Sequence, residues 1–261
     1  MAGRITTATT GSTGRTTDGE VYDLATSETD EAWLARTRVF LQPIAAPSIL
    51  GLMGFAVATM MVGAWQAGWY GGPHTPGIIW PFALFAGGIL QLIACVQCFR
   101  ARDSVALGVH GIWGSFWIAW SIMQLLVVTH VAPMIPLGSV NTGFGFWFIA
   151  LTLMTFSATL AALAKGGLLV VTLGTLTAGS VLSAIGFWGG SLGATYAGGW
   201  LFVVSAAAAW LFATAMMLEQ SFGRTIIPLG KFTSKDANIP GHMPTRPIER
   251  PSGMPGVRVG Q

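Results

Sequence analysis

The chain has 261 residues, of which 52% are hydrophobic and only 9% charged, and its net charge is +3. A water-soluble domain carries about 25% charged residues, so this composition excludes an ordinary soluble enzyme or binding module and puts the chain in the membrane class. The positive balance does not point to nucleic acid: between Val39 and Leu218 the charged residues are Arg100, Arg102, Asp103 and Lys165 alone, and basic segments flanking apolar runs suit a membrane surface.

Residues 1–40 are rich in Thr, Ser and Gly and read as a disordered cytoplasmic tail, with no secretory leader expected. Within them AWLARTRVF (32–40) reads as a short interfacial helix whose Trp33, Leu34, Val39 and Phe40 touch lipid. Residues 41–230 hold six apolar windows, at about 47–68, 77–99, 105–129, 143–164, 167–188 and 198–218. Each meets the roughly 20 residues that a spanning helix needs. The breaks carry turn chemistry: GGPHTPG (71–77), RARDS (100–104), APMIPLGSVNTG (132–143), KGG (165–167) and GGSLGATYAGG (189–199). The fold class is therefore an all-α membrane protein, with six transmembrane helices in a compact bundle. Residues 231–261 are rich in Pro and Gly and read as a second disordered tail.

The loops sort by charge. Arg100 and Arg102 follow the second window and Lys165 the fourth, while the loops after the first, third and fifth have no Lys or Arg. Basic residues favour the cytoplasmic side. Both termini are therefore expected in the cytoplasm of a cell whose plasma membrane holds the protein. Glycines at 87–88 and at 108, 111 and 114 predict close helix packing.

Polar groups at membrane depth are costly and invite a functional reading. They are Gln91 and Gln97 in the second window, His110 and Ser115 in the third, Thr152 and Thr155 in the fourth, and Thr172, Thr175 and Thr177 in the fifth. No carboxylate stands inside a window, which argues against a proton relay built on Asp or Glu. His110 is the candidate proton site, with a hydrogen-bonded interfacial histidine as the alternative. The threonines are expected to bond their own helix carbonyls. Cys95 and Cys98 form a CxxC without a second pair, so apolar filling is favoured over a metal site. No nucleotide loop, zincin pattern or Ser/His/Asp set with supporting context is present. No enzyme, metal or cofactor is expected.

Four ordered motifs then identify a resemblance. APSILGLMGF (46–55), AGGILQ (86–91), IWGSFW (112–117) and EQSFGRTIIPLG (219–230) resemble, in order and spacing, signatures of the acetate uptake transporter family, of the bacterial succinate–acetate permease type. The resemblance implies a solute path inside each six-helix protomer, assembly as a hexamer, and transport of acetate and in some members succinate, proton-coupled or channel-like. It implies a constriction at Phe55 and Trp113, the latter where the family has Tyr, with Gln91 as the polar residue of the path. Pro47, Ser48, Leu50, Gly51 and Leu52 fall in the signature that opens helix one, whose free N–H groups suit a carboxylate. Glu219, Gln220, Phe222, Gly223, Arg224 and Thr225 form the closing signature.

Departures from the family pattern stand at Ala46 for Asn, Ile49 for Pro, Gln97 for a membrane-edge Glu and Ala215 for a Glu in helix six. Loss of the two acids weighs against proton coupling, and the larger Trp113 weighs against succinate. The alternatives are a passive path for ammonia or a neutral acid, and a structural or sensory membrane protein that carries nothing.

Overall fold

An apolar run that crosses a bilayer must satisfy its own backbone groups, and a helix does so locally. In a computed structural model, which describes residues 44–101, 103–131 and 137–230, every span takes that solution and no strand forms among the described residues. The chain divides into Met1–Gln42 and Pro43–Gln261. All described residues belong to the second unit. The expected tails, 1–40 and 231–261, and the helix expected at 32–40 lie outside the described residues.

The helices are α1 (Pro47–Gln66), α2 (Pro76–Ala101), α3 (Ser104–Val128), α4 (Leu137–Ala162), α5 (Gly167–Gly189) and α6 (Leu192–Phe222). All six are long and apolar enough to cross a membrane. Their outer faces carry exposed Ile78, Phe85, Val96, Phe99, Leu153 and Leu192, which suits contact with lipid. A groove of about 470 Å³ between the outer faces of α4 and α5 is lined by Ile149, Leu153, Ile185 and Trp188 among others.

Small residues set the helix spacing. A Cβ on Gly63 of α1 would stand 2.9 Å from the Cβ of Phe202 on α6, and one on Gly199 would collide with the backbone of Gln66 and Ala67. A Cβ on Gly54 would collide with the carbonyl of Ala86. Polar cross-links reinforce the contact: buried Gln66 Nε2 donates to Ser183 Oγ of α5 at 2.8 Å and to the Thr195 carbonyl of α6 at 3.0 Å.

α2 is not uniform. Pro81 lies inside its first stretch, Pro76–Phe82. Proline brings no N–H and clashes with the preceding turn. The wider π-helical turns Ala83–Leu90 follow at once, and regular α-helix returns at Gln91.

Two boundaries differ from expectation. Most of the loop expected at 189–199 is helix: Gly190 takes a left-handed φ of 67°, Ser191 Oγ accepts from Ala194 N at 3.3 Å, and α6 starts at Leu192. The window expected at 143 begins as helix at Leu137. Glycines and a serine cap were enough to suggest a long loop, yet one left-handed residue makes the turn.

Three connections meet at one end of the bundle. Asp103 caps α3 through Ala106 N at 3.1 Å and pairs with Lys165 Nζ, after α4, at 2.6 Å. After α6 the chain turns at Gly223, φ 65°, and returns so that the carbonyls of Gly230 and Leu229 accept from Gly167 N (2.8 Å) and Leu168 N (3.2 Å). That segment satisfies donors at the start of α5, which no side chain caps.

Candidate functional site

The ring of Phe55 on α1 meets that of Trp113 on α3 edge to face, with centroids 6.1 Å apart and both residues 2% exposed. Trp113 also packs on Phe116 at 5.4 Å and on Phe202 of α6 at 6.4 Å. Its Nε1–H donates to Thr155 Oγ1 of α4 at 3.1 Å. The indole is therefore held from several helices, and its geometry is the edge-to-face arrangement that aromatic quadrupoles favour.

Gln91 opens the last stretch of α2, directly after the π-helical turns, and is fully buried. Its Nε2 donates to the Gly87 carbonyl at 2.7 Å, and its Oε1 lies 3.2 Å from His110 Nδ1. With the amide so oriented, Nδ1–H of His110 is the donor. The imidazole lies over Gly51, where a Cβ would come within 2.5 Å of Cε1 and Nε2. A Cβ on Gly114, next to Trp113, would stand 3.2 Å from the Cβ of Gln91. The fold thus gathers Gly51, Phe55, Gln91, His110 and Trp113 along the seam of α1, α2 and α3. Among the described residues no group of three or more His, Cys, Asp or Glu could hold a metal.

The opening signature splits. Pro47, Ser48, Gly51 and Leu52 are buried, but Leu50 is 38% exposed and faces outward. α1 starts without a side-chain cap at Ala46. The closing signature stands apart from the seam, at the end of the bundle. Glu219 is half-buried and Gln220, Phe222, Gly223, Arg224 and Thr225 are exposed. Thr225 Oγ1 donates to Glu219 Oε1 at 3.5 Å. Arg224 forms no ion pair with Glu219 among the described residues. The returning segment holds the start of α5, a structural task that the motif alone did not reveal.

Residues 35–233 match the model of the GPR1/FUN34/yaaH family. The chain belongs to the GPR1/FUN34/YaaH family. The succinate-acetate/proton symporter SatP of Escherichia coli K12 is 29% identical over 189 residues, spanning 72% of this chain and 96% of that protein. The ammonia transport outward protein 2 of Saccharomyces cerevisiae is 26% identical over 175 residues, 66% of this chain and 61% of that protein. The solved structure of the bacterial acetate channel SatP superposes with a TM-score of 0.64 and 26% identity, covering 72% of this chain and all of that one. This is a transport family and not an enzymatic one, acetate transport is found at its level, and the chain is a multi-pass membrane protein of that fold.

Thr155 and Asp103 were not singled out by their sequence context. Thr155 stood among the polar residues of its window without a role, because its partner Trp113 is 42 positions away. Asp103 before Ser104 carries an N-cap signal, but its pairing with Lys165 spans 62 positions. Thr152, Thr172, Thr175 and Thr177 each bond a carbonyl of their own helix, as expected.

Proposed function

We propose that this member of the GPR1/FUN34/YaaH family carries acetate and related small monocarboxylates through a path within each protomer, shut at Phe55 and Trp113 with Gln91 beside them. The observation that carries the reading is the edge-to-face closure of Phe55 on Trp113, 6.1 Å between centroids, next to a fully buried neutral amide. An aromatic closure can open by ring rotation. The amide and nearby donors offer hydrogen bonds to a carboxylate without a cation that would trap it. We read the transport as channel-like, because the described span interiors hold no Asp or Glu. His110, bonded to Gln91, is the proton site if coupling exists. The bulk of Trp113 favours acetate over succinate.

The end of the bundle that carries Lys165, Arg100 and Arg224 is read as cytoplasmic in the plasma membrane, and the assembly as a hexamer on the family resemblance. A path for ammonia is the second reading, favoured by the yeast relative's name.

Uptake of labelled acetate into proteoliposomes, with and without an inward proton gradient, tests this reading against Gln91→Ala. Rapid equilibration that the variant slows supports a passive path. Accumulation above equilibrium establishes coupling and makes His110 the first residue to replace in the same assay. Ammonia flux without acetate flux replaces acetate as the solute.

A further inference from the structure

The π-helical turns Ala83–Leu90 end where Gln91 begins. In an α-helix the Gly87 carbonyl would accept from the backbone N–H of Gln91, four residues on. Here that N–H donates to the Gly88 carbonyl instead. The Gly87 carbonyl accepts from the Gln91 side chain, Nε2, at 2.7 Å. The side chain of Gln91 thus occupies the acceptor that its own backbone would need for regular α-helix.

A π turn reaches five residues back rather than four, so it accommodates about one residue more than an α turn. Such a turn can pass along a helix whose two ends stay fixed. Each residue that it passes then advances by one place, about 100° around the axis and about 1.5 Å along it. Once it passes Gln91, Leu90 stands in the place of Gln91 beside His110. The contact with α3 at this level is made by bare backbone: a Cβ on Gly87 would stand 2.6 Å from Trp117 Cγ, and one on Gly88 2.6 Å from Ile118 Cγ1. Trp117 Nε1 is buried there without a hydrogen-bond partner, as are Thr59 Oγ1, next to Ala58, and Ser121 Oγ, one turn further along α3. Trp117 Cδ1, bonded to that nitrogen, would lie 2.8 Å from the same Cβ of Gly87. A moving turn carries its carbonyls past an indole N–H that has none to bond in the present register.

We propose that Gln91 is the latch of a register switch in α2. Its amide, bonded to the Gly87 carbonyl, keeps the wide turns at Ala83–Leu90. Release of that bond returns the carbonyl to the backbone, lets the turns pass, and puts Leu90 in the place of Gln91. What the switch does for the solute rests on the transport reading above: the seam alternates between an amide that receives a carboxylate and an apolar side chain that lets it go. Gln91 is then a positioning residue for α2 as well as a polar residue of the path.

The test reads the register itself. The two native cysteines, Cys95 and Cys98, are replaced by Ala, and Leu90→Cys is combined with His110→Cys in the full chain. Dibromobimane, which fluoresces once it bridges two thiols, then reports how often position 90 faces position 110. Adding Gln91→Leu removes one hydrogen bond of the latch, so the initial bridging rate is expected to rise roughly fivefold. Deleting Phe85, which is exposed on the outer face, removes the residue that the wide turns accommodate. The bridging is expected to be lost in that variant, and with native cysteines the same deletion is expected to lose acetate uptake into proteoliposomes while its unfolding temperature in detergent holds. A bridging rate that Gln91→Leu leaves unaltered overturns the latch, and this comparison decides alone where the deletion does not fold. Bridging that survives the deletion overturns the register shift. Parental acetate uptake by the folded deletion overturns its part in transport. A folded parent that carries no acetate overturns the transport reading, and the bridging rates still decide the switch.

Discussion

The indole Nε1 of Trp113 donates to the hydroxyl of Thr155, 3.1 Å away, so the ring that closes on Phe55 is fixed from α4. Thr155→Val keeps the shape and removes the acceptor. It leaves a buried N–H unpaired, at about 1–3 kcal/mol. A lower unfolding temperature is expected, together with faster acetate leak through a less firmly held ring. Thr155→Ser, which keeps the hydroxyl, is expected to behave as the parent in both assays.

Gly51 gives His110 its place. An Ala side chain there would meet the imidazole at 2.5 Å and drive it off Gln91. Gly51→Ala is expected to destabilise by about 1–3 kcal/mol. Adding His110→Ala removes the clash, so the double variant is expected to lose less than the sum of the two single losses, with a coupling of about 1 kcal/mol or more. Thermal unfolding of the four proteins completes the cycle, and strict additivity would separate the two residues.

Asp103 has two tasks, capping α3 and pairing with Lys165. Asp103→Asn keeps a good cap and loses the pair, whereas Asp103→Ala loses both. The Ala variant is expected to be less stable than the Asn variant by about 1 kcal/mol. Lys165→Met leaves the carboxylate of Asp103, only 5% exposed, without its cation. Because Lys165 is itself partly solvated, about 1–3 kcal/mol is the expected loss. Unfolding in detergent at pH 7 measures all three.

The six helices were legible because lipid leaves the backbone few choices and because each run was interrupted by turn residues. The boundary at 189–199 was misplaced for a local reason. Eight residues of GGSLGATYAGG, those beyond Ser191, already lie in α6, since glycine inside a membrane helix permits close packing as readily as it marks a turn. The π-helical turns after Pro81 had no counterpart in hydropathy, which does not register a one-residue change in helix pitch. The meeting of Phe55, Gln91 and Trp113 was suggested by motif resemblance. The details that hold them, Thr155 on Trp113, His110 on Gln91 and Gly51 beneath His110, arise from contacts between different helices. Periodicity along one helix carries no trace of such pairs. The unpaired state of Thr59, Trp117 and Ser121 was equally hidden, because a lone Ser or Thr in a helix usually bonds its own backbone.

The most direct measurement of the account is flux of labelled acetate and labelled succinate through Trp113→Tyr and Trp113→Ala in proteoliposomes, compared with the parent protein. If Phe55 and Trp113 close the path, acetate flux rises in step with the volume removed and succinate enters in Trp113→Ala. Folded variants with parental acetate rates and no succinate flux would contradict a path through this pair.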